Sequence, residues 1–162
     1  MRVNWSASEI RRVDAQSSGD LWERFLTAMV AYWNESFPSE LSHLEWHELY
    51  TERIRRRLEE RPTWLWMYER DGRTLALTNF HLDGGVAQVA EVWVAPDSRR
   101  HGLGAFMIRQ MRRTLRQAGV TRMAVSVPTN ATVAASIDFW RDLGFTEVAV
   151  HLEATTFGPD GD

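Results

Sequence analysis

Arg99-Arg100-His101-Gly102-Leu103-Gly104 decides how this chain is read. Before it runs an apolar strand pattern, Val89-Ala90-Glu91-Val92-Trp93-Val94, closed by Ala95-Pro96. After it, from Leu103 to about Ala118, the residues Leu103, Phe106, Met107, Met111 and Leu115 recur at helical spacing. A glycine-bearing turn between a strand and a helix gathers several backbone N–H groups at one spot. The helix macrodipole adds partial positive charge there. Arg99 and Arg100 at the rim supply charge and the fork geometry that a pyrophosphate accepts. The stretch predicts a site for a phosphate-containing cofactor.

Other phosphate motifs fit less well. A dinucleotide fingerprint wants a third glycine, and Met107 follows Gly104-Ala105-Phe106. It also wants an acidic residue after the next strand, where Pro128-Thr129-Asn130 stands instead. A Walker-type loop needs a lysine, and the chain has none. The plain alternative is an ordinary strand-to-helix turn with solvated arginines.

The stretch fits Arg-x-x-Gly-x-Gly and resembles the acyl-CoA pyrophosphate loop of the GNAT superfamily of N-acetyltransferases. Val94-Ala95-Pro96 is similar to the Val-x-Pro-like exit of that family's preceding strand. Trp140-Arg141-Asp142-Leu143-Gly144-Phe145 resembles its later helix, which ends in an aromatic residue followed by Gly-Phe. The resemblance is specific from about Leu75 to Val150 and loose before that. It implies an α/β fold with a mixed, splayed central sheet and helices on both faces, in one domain over residues 1–162. It also implies acetyl-CoA as acyl donor and direct attack by an amine. Arg99, Arg100, His101, Gly102, Leu103, Gly104 and Ala105 would then hold the pyrophosphate. Backbone groups of Trp93 and Val94 would bond the pantetheine arm, and Ser136 would be a minor contact. Asn130 caps the last long helix or contacts that arm. Two departures stand out. Trp140 occupies the place of a tyrosine that protonates the leaving thiolate in many members, which an indole N–H does not do at neutral pH. Val133 stands where an asparagine is usual. Trp140 reads instead as a packing wall beside the thioester.

For the transfer itself, Glu91 is the candidate general base. A carboxylate among Val89, Ala90, Val92 and Trp93, in a strand that reads as buried on both faces, should have a raised pKa. A structural Glu paired with an arginine is the competing reading. His81 is the second candidate base. With no cysteine and no Gly-x-Ser-x-Gly elbow, a covalent enzyme intermediate is unsupported. The acceptor side is expected in the first two helices and the loop joining them. There Tyr32, Trp33, Phe37, Trp46 and Tyr50 mix with Glu35, Glu40, Glu45 and Glu48. Aromatic faces with carboxylates suit a cationic amine, of a small molecule or a peptide; a solvated acidic face is the alternative. Trp33, Phe37 and Asn79 are the residues assigned to the acceptor.

Composition bounds the rest. A chain of 162 residues without repeats reads as one domain that buries ~70% of its unfolded surface. No apolar run is long enough to cross a membrane, and Met1-Arg2-Val3-Asn4-Trp5-Ser6 lacks a signal peptide's apolar core. Without cysteine there is neither a disulfide framework nor a zinc–thiolate site, and no metal is expected. A cytoplasmic protein is the expectation, with a homodimer open. The net charge of −3 is unevenly spread, because Arg99 to Arg122 holds seven arginines and no acid. That basic block admits a nucleic-acid-binding reading, and the two departures admit a non-catalytic acyl-CoA-binding module.

Along the chain, a first strand is expected over Glu9–Val13 and a helix capped by Asp20 runs to about Asn34. A second helix runs from Leu41 or Leu44 to Glu60, before Pro62. Strands over Trp64–Glu69 and Arg73–His81 flank Asp71-Gly72, and Asp83-Gly84-Gly85 turns into the strand of Glu91. Beyond the central helix, a strand over Met123–Val127, a helix over Ala131–Leu143 and a final strand from Phe145 to about Ala154 are expected. The tail from Thr155 reads as frayed, so a last strand is short, absent or supplied by a partner chain.

Overall fold

The computed structural model describes residues 3–36, 44–127 and 134–149. The chain divides into two units, Met1–Ser126 and Val127–Asp162. In the first, five strands lie in sequence order in one mixed sheet: β1 (Ile10–Val13), β2 (Thr63–Arg70), β3 (Arg73–Asp83), β4 (Val86–Val94) and β5 (Arg122–Val125). The first four pair antiparallel, and β5 runs parallel to β4. Tight turns make the antiparallel order possible. At Gly84-Gly85 both residues have positive φ, 54° and 80°, which matches the strand twist and which side-chain-bearing residues adopt reluctantly.

Helices α1 (Gly19–Ser36) and α2 (Leu44–Glu60) precede β2, and α3 (Leu103–Gln117) joins β4 to β5. Ser18 rather than Asp20 caps α1, its hydroxyl accepting from the Leu21 N–H at 3.3 Å. The apolar stripe of α1 (Trp22, Phe25, Ala28, Met29, Trp33) packs with Ile54 of α2 onto Leu65, Met67 and Leu77. Side chains alternate across a strand, so Tyr68, Thr78 and Phe80 point to the opposite face. There α3 lies, with Phe106 edge-on to Tyr68 at 6.0 Å between centroids. Leu103, Met107, Ile108, Met111 and Leu115 form its buried stripe, each worth about 1.5–3 kcal/mol of transfer free energy. Ile108 takes the fully buried place expected of Phe106, which is half-buried.

The second unit contains α4 (Ala134–Asp142). Trp140 is buried there between Phe139 and Phe145, at 5.1 and 5.0 Å between centroids. The final strand expected from Phe145 is not formed over residues 145–149, and its remainder lies outside the described residues. Val148 is 91% exposed and Glu147 folds back to an ion pair with Arg141, so the alternation there has no buried face to serve.

Candidate active site

β4 is where the sheet opens. It pairs with β5 from Val86 to Val89, and from Ala90 to Val94 its outer edge has no strand partner among the described residues. At the same point Asn79 pairs with Glu91 and Phe80 with Val89, leaving Ala90 as the extra residue of a β-bulge. The Ala95 N–H donates to the Leu75 carbonyl at 2.9 Å. By antiparallel alternation, Glu91 and Trp93 therefore spend their backbone groups on β3, while Val92 and Val94 turn theirs to the open edge. The backbone groups facing the opening belong to Val92 and Val94, where Trp93 and Val94 were expected. The Val94 carbonyl accepts from Arg99 Nε at 2.8 Å.

After Val94 a short turn, Pro96–Ser98, leads to the predicted loop. Arg100 (φ 62°) and Gly102 (φ 82°) both sit in the left-handed region, and Gly102 caps α3 without a side-chain bond. The first α-helical bond runs from Phe106 N–H to the Gly102 carbonyl at 2.9 Å. The amides of Leu103, Gly104 and Ala105 therefore precede the intrahelical ladder, at the positive end of the dipole. A Cβ added to Gly102 would meet nothing within 4 Å, so the loop is open at Gly102. The residues fit an anionic group such as a pyrophosphate. Of the two rim arginines, Arg100 is exposed, whereas Arg99 is tied to Glu35 of α1 at 2.5 Å. The Trp93 indole N–H reaches the same carboxylate at 3.3 Å.

Glu91 lies on the face of β4 covered by α1 and α2 and is 3% exposed. Tyr50 of α2 donates its hydroxyl to Glu91 Oε1 at 2.5 Å. Burial pushes the Glu91 carboxyl above the usual carboxylate range, while Tyr50, Arg57 and Asn79 pull it back. Among the described residues Oε2 has no partner in good hydrogen-bond geometry, and the polar side chain paired with it across the strands is that of buried Asn79. Among the described residues no arginine forms an ion pair with Glu91, and Arg57 acts on it through its charge alone. The neighbours of Glu91 are held in their protonated forms. Burial and the nearby Glu91 charge raise Tyr32 to about 12, and the same causes raise Tyr50. β4 itself alternates between buried and half-buried residues, where burial on both faces was expected.

His81 is two residues from Asn79 on the same face of β3, opposite Gln88. Burial, then Arg57 and Arg61, pull its pKa down to about 4, so it is neutral at pH 7 and a poor proton trap. Trp33 is in the core, packed edge-on against Tyr50 at 4.5 Å, and is therefore a wall behind Tyr50. Glu48 is exposed on α2. Phe37, Glu40 and Asn130 lie outside the described residues, as do Val133 and the side chains of Glu45 and Trp46. Ser136 and Trp140 belong to the second unit. Tyr50 and Arg57 were not singled out for Glu91. Their signal was present, since Tyr50, Ile54 and Arg57 share one face of an otherwise charged helix.

The sequence model of the acetyltransferase (GNAT) family matches residues 22–145. No curated protein sequence matches the chain. Among solved structures, the apo aminoglycoside antibiotic 6'-N-acetyltransferase AAC(6')-IG from Acinetobacter haemolyticus is similar at TM-score 0.68 and 18% identity, over 91% of this chain and 97% of that one. AAC(6')-Iy in complex with the bisubstrate analogue CoA-S-monomethyl-acetylneamine gives TM-score 0.68 and 17% identity, over 91% and 96%. The PaiA N-acetyltransferase from Thermoplasma acidophilum, in complex with coenzyme A, gives 0.63 and 10%, over 83% and 86%.

Proposed function

The chain belongs to the acetyltransferase (GNAT) family, and from that premise we propose that it acetylates a small cationic amine with Glu91 as general base. Acyl-CoA-dependent acetyl transfer is the general chemistry of the family. Acetyl-CoA, when bound, supplies an activated thioester. The amides of Gly102 to Ala105 and the exposed Arg100 receive the pyrophosphate, and the open edge of Val92 and Val94 takes the amide-bearing arm. Tyr50 fixes one oxygen of Glu91. The other, Oε2, is left to accept a proton from the incoming ammonium. A carboxyl raised by burial holds a proton more readily than an ordinary carboxylate, which suits it to that task.

The observation that carries this reading is a buried carboxylate with one oxygen held and one without a partner in good hydrogen-bond geometry among the described residues, placed at the bulge where β4 parts from β5. Glu48 is exposed on α2, while Glu35 and Glu52 are ion-paired with Arg99 and Arg56, so the charge that favours a cationic acceptor rests on Glu48 and on Glu91 itself. Relatives of this fold act on aminoglycosides, so amine-bearing antibiotics head the panel, followed by polyamines and peptide N-termini. Release of free CoA thiol from acetyl-CoA, measured across that panel, tests the reading. Acceptor-dependent release from at least one cationic amine supports it. Acetyl-CoA binding with only background hydrolysis across the panel contradicts it.

A further inference from the structure

The family match begins at residue 22, yet a segment before it reaches the candidate cofactor loop. The indole N–H of Trp5 donates to the carbonyl of His101 at 2.8 Å, bridging 96 residues of sequence. Trp5 is itself held on two sides. Its ring stands edge-on to Tyr68 at 5.5 Å, and the Arg70 guanidinium lies over it at 4.8 Å. Arg70 also donates to the Asn4 carbonyl at 2.7 Å and to both oxygens of Glu9, at 2.7 and 2.6 Å. The Tyr68 hydroxyl donates to Glu9 and accepts from the Ser6 N–H at 3.0 Å. Residues 4–9 are thus fastened to β2 with the Trp5 indole pointing at the loop.

The bonded carbonyl matters because of the peptide it belongs to. In a trans peptide the C=O and the following N–H point in opposite directions. Tying the His101 carbonyl to Trp5 therefore aims the Gly102 N–H the other way. That peptide joins His101 to Gly102 and follows directly on Arg100, which holds a left-handed conformation that a side-chain-bearing residue adopts reluctantly. We propose that Trp5 is a positioning residue for the cofactor loop, fixing the His101–Gly102 peptide so that the Gly102 amide faces the pyrophosphate before acetyl-CoA arrives. The inference rests on the assignment of this loop to acetyl-CoA.

The test is Trp5→Phe, which keeps an aromatic ring against Tyr68 and Arg70 and removes the N–H donor. Calorimetric titration with acetyl-CoA and steady-state kinetics are read beside the melting temperature. One hydrogen bond of ordinary net strength predicts an acetyl-CoA Kd and KM about three- to tenfold higher. The kcat at saturating acetyl-CoA and the acceptor KM should stay unchanged. If Trp5→Phe folds poorly, benzothienylalanine at position 5 keeps the bicyclic shape without the donor and should give the same split. Unchanged acetyl-CoA affinity, or equal losses in kcat and in both KM values, overturns the proposal while leaving the loop assignment intact. A wild-type protein that does not bind acetyl-CoA overturns both.

Discussion

The loop at the start of α3 and the carboxylate on β4 belong to one candidate site and are built in opposite ways. The loop is contiguous, exposed and made of backbone: amides of successive residues before the first α-helical bond, with open space above Gly102. The Glu91 site is buried and assembled from β3, β4 and α2, with Tyr50 lying 41 residues away from the carboxylate it holds. Binding an anion needs donors that are already oriented, which a helix terminus supplies locally. Holding a base with a raised pKa needs exclusion from water, which only tertiary packing supplies.

This contrast yields tests of decreasing effect. The largest concerns the carboxylate. Glu91→Gln keeps an oxygen for Tyr50 to donate to and removes the proton acceptor. Turnover should fall about 10²–10⁴-fold while acetyl-CoA Kd in calorimetry stays within about twofold of wild type. The same variant should melt at a higher temperature at pH 7. Because the folded pKa of Glu91 is raised, its contribution to stability is full below the ordinary glutamate pKa and is lost as pH rises through the folded value. A neutral glutamine escapes that loss, so the gain should vanish in melts at acid pH.

Gly102→Val breaks the other half. Valine at φ 82° costs ~1–2 kcal/mol of backbone strain, about 2–8 °C in melting temperature, and moves the first amides of the cradle. Acetyl-CoA KM should rise at least about tenfold, with the pH dependence of the residual activity retained. A Gly102→Val enzyme with normal acetyl-CoA KM and an altered pH profile would reverse the assignment of the two halves.

Tyr50→Phe addresses how the proposed base is tuned. The hydroxyl donates to the carboxylate and so favours its charged form. Its loss should move the acid limb of the kcat/KM profile to higher pH and cut the plateau by about tenfold or less. Burial, Arg57 and Asn79 also act on Glu91 and remain in place, so the limb should persist. The smallest effect lies in the N-terminal fastening. Arg70 and Tyr68 hold Glu9 down to about 2, below the ordinary glutamate range. Its stabilisation is therefore present above the unfolded pKa and lost as pH falls toward 2. Acid unfolding of Arg70→Met should begin at slightly higher pH than that of the wild type.

Legibility in the sequence followed the same divide. The loop, α3 and the two hairpins were readable because their signals are local: glycines, Asp71-Gly72 and an apolar stripe at helical spacing. Glu91 stood out because a charge in an apolar strand is locally anomalous. Its partner did not: Tyr50, Ile54 and Arg57 mark one face of α2, but nothing near them says that this face folds over β4. Arg99 reads locally as a phosphate ligand, yet Glu35, 64 residues away, holds it in this structure. Which backbone groups face the opening depends on the bulge at Ala90, a register detail that alternation alone misses. Ser18 replaced Asp20 as the cap of α1 because both types suit the position, and two residues of offset are beyond what propensity resolves.

The most direct test of the account is kcat/KM against pH for the wild type and Glu91→Gln, with one cationic acceptor at trace concentration and acetyl-CoA saturating. The wild type should show an acid limb above the ordinary glutamate range, and Glu91→Gln should show a low rate without that limb. A Glu91→Gln enzyme that keeps both the limb and a rate within a few-fold of wild type would contradict Glu91 as the base.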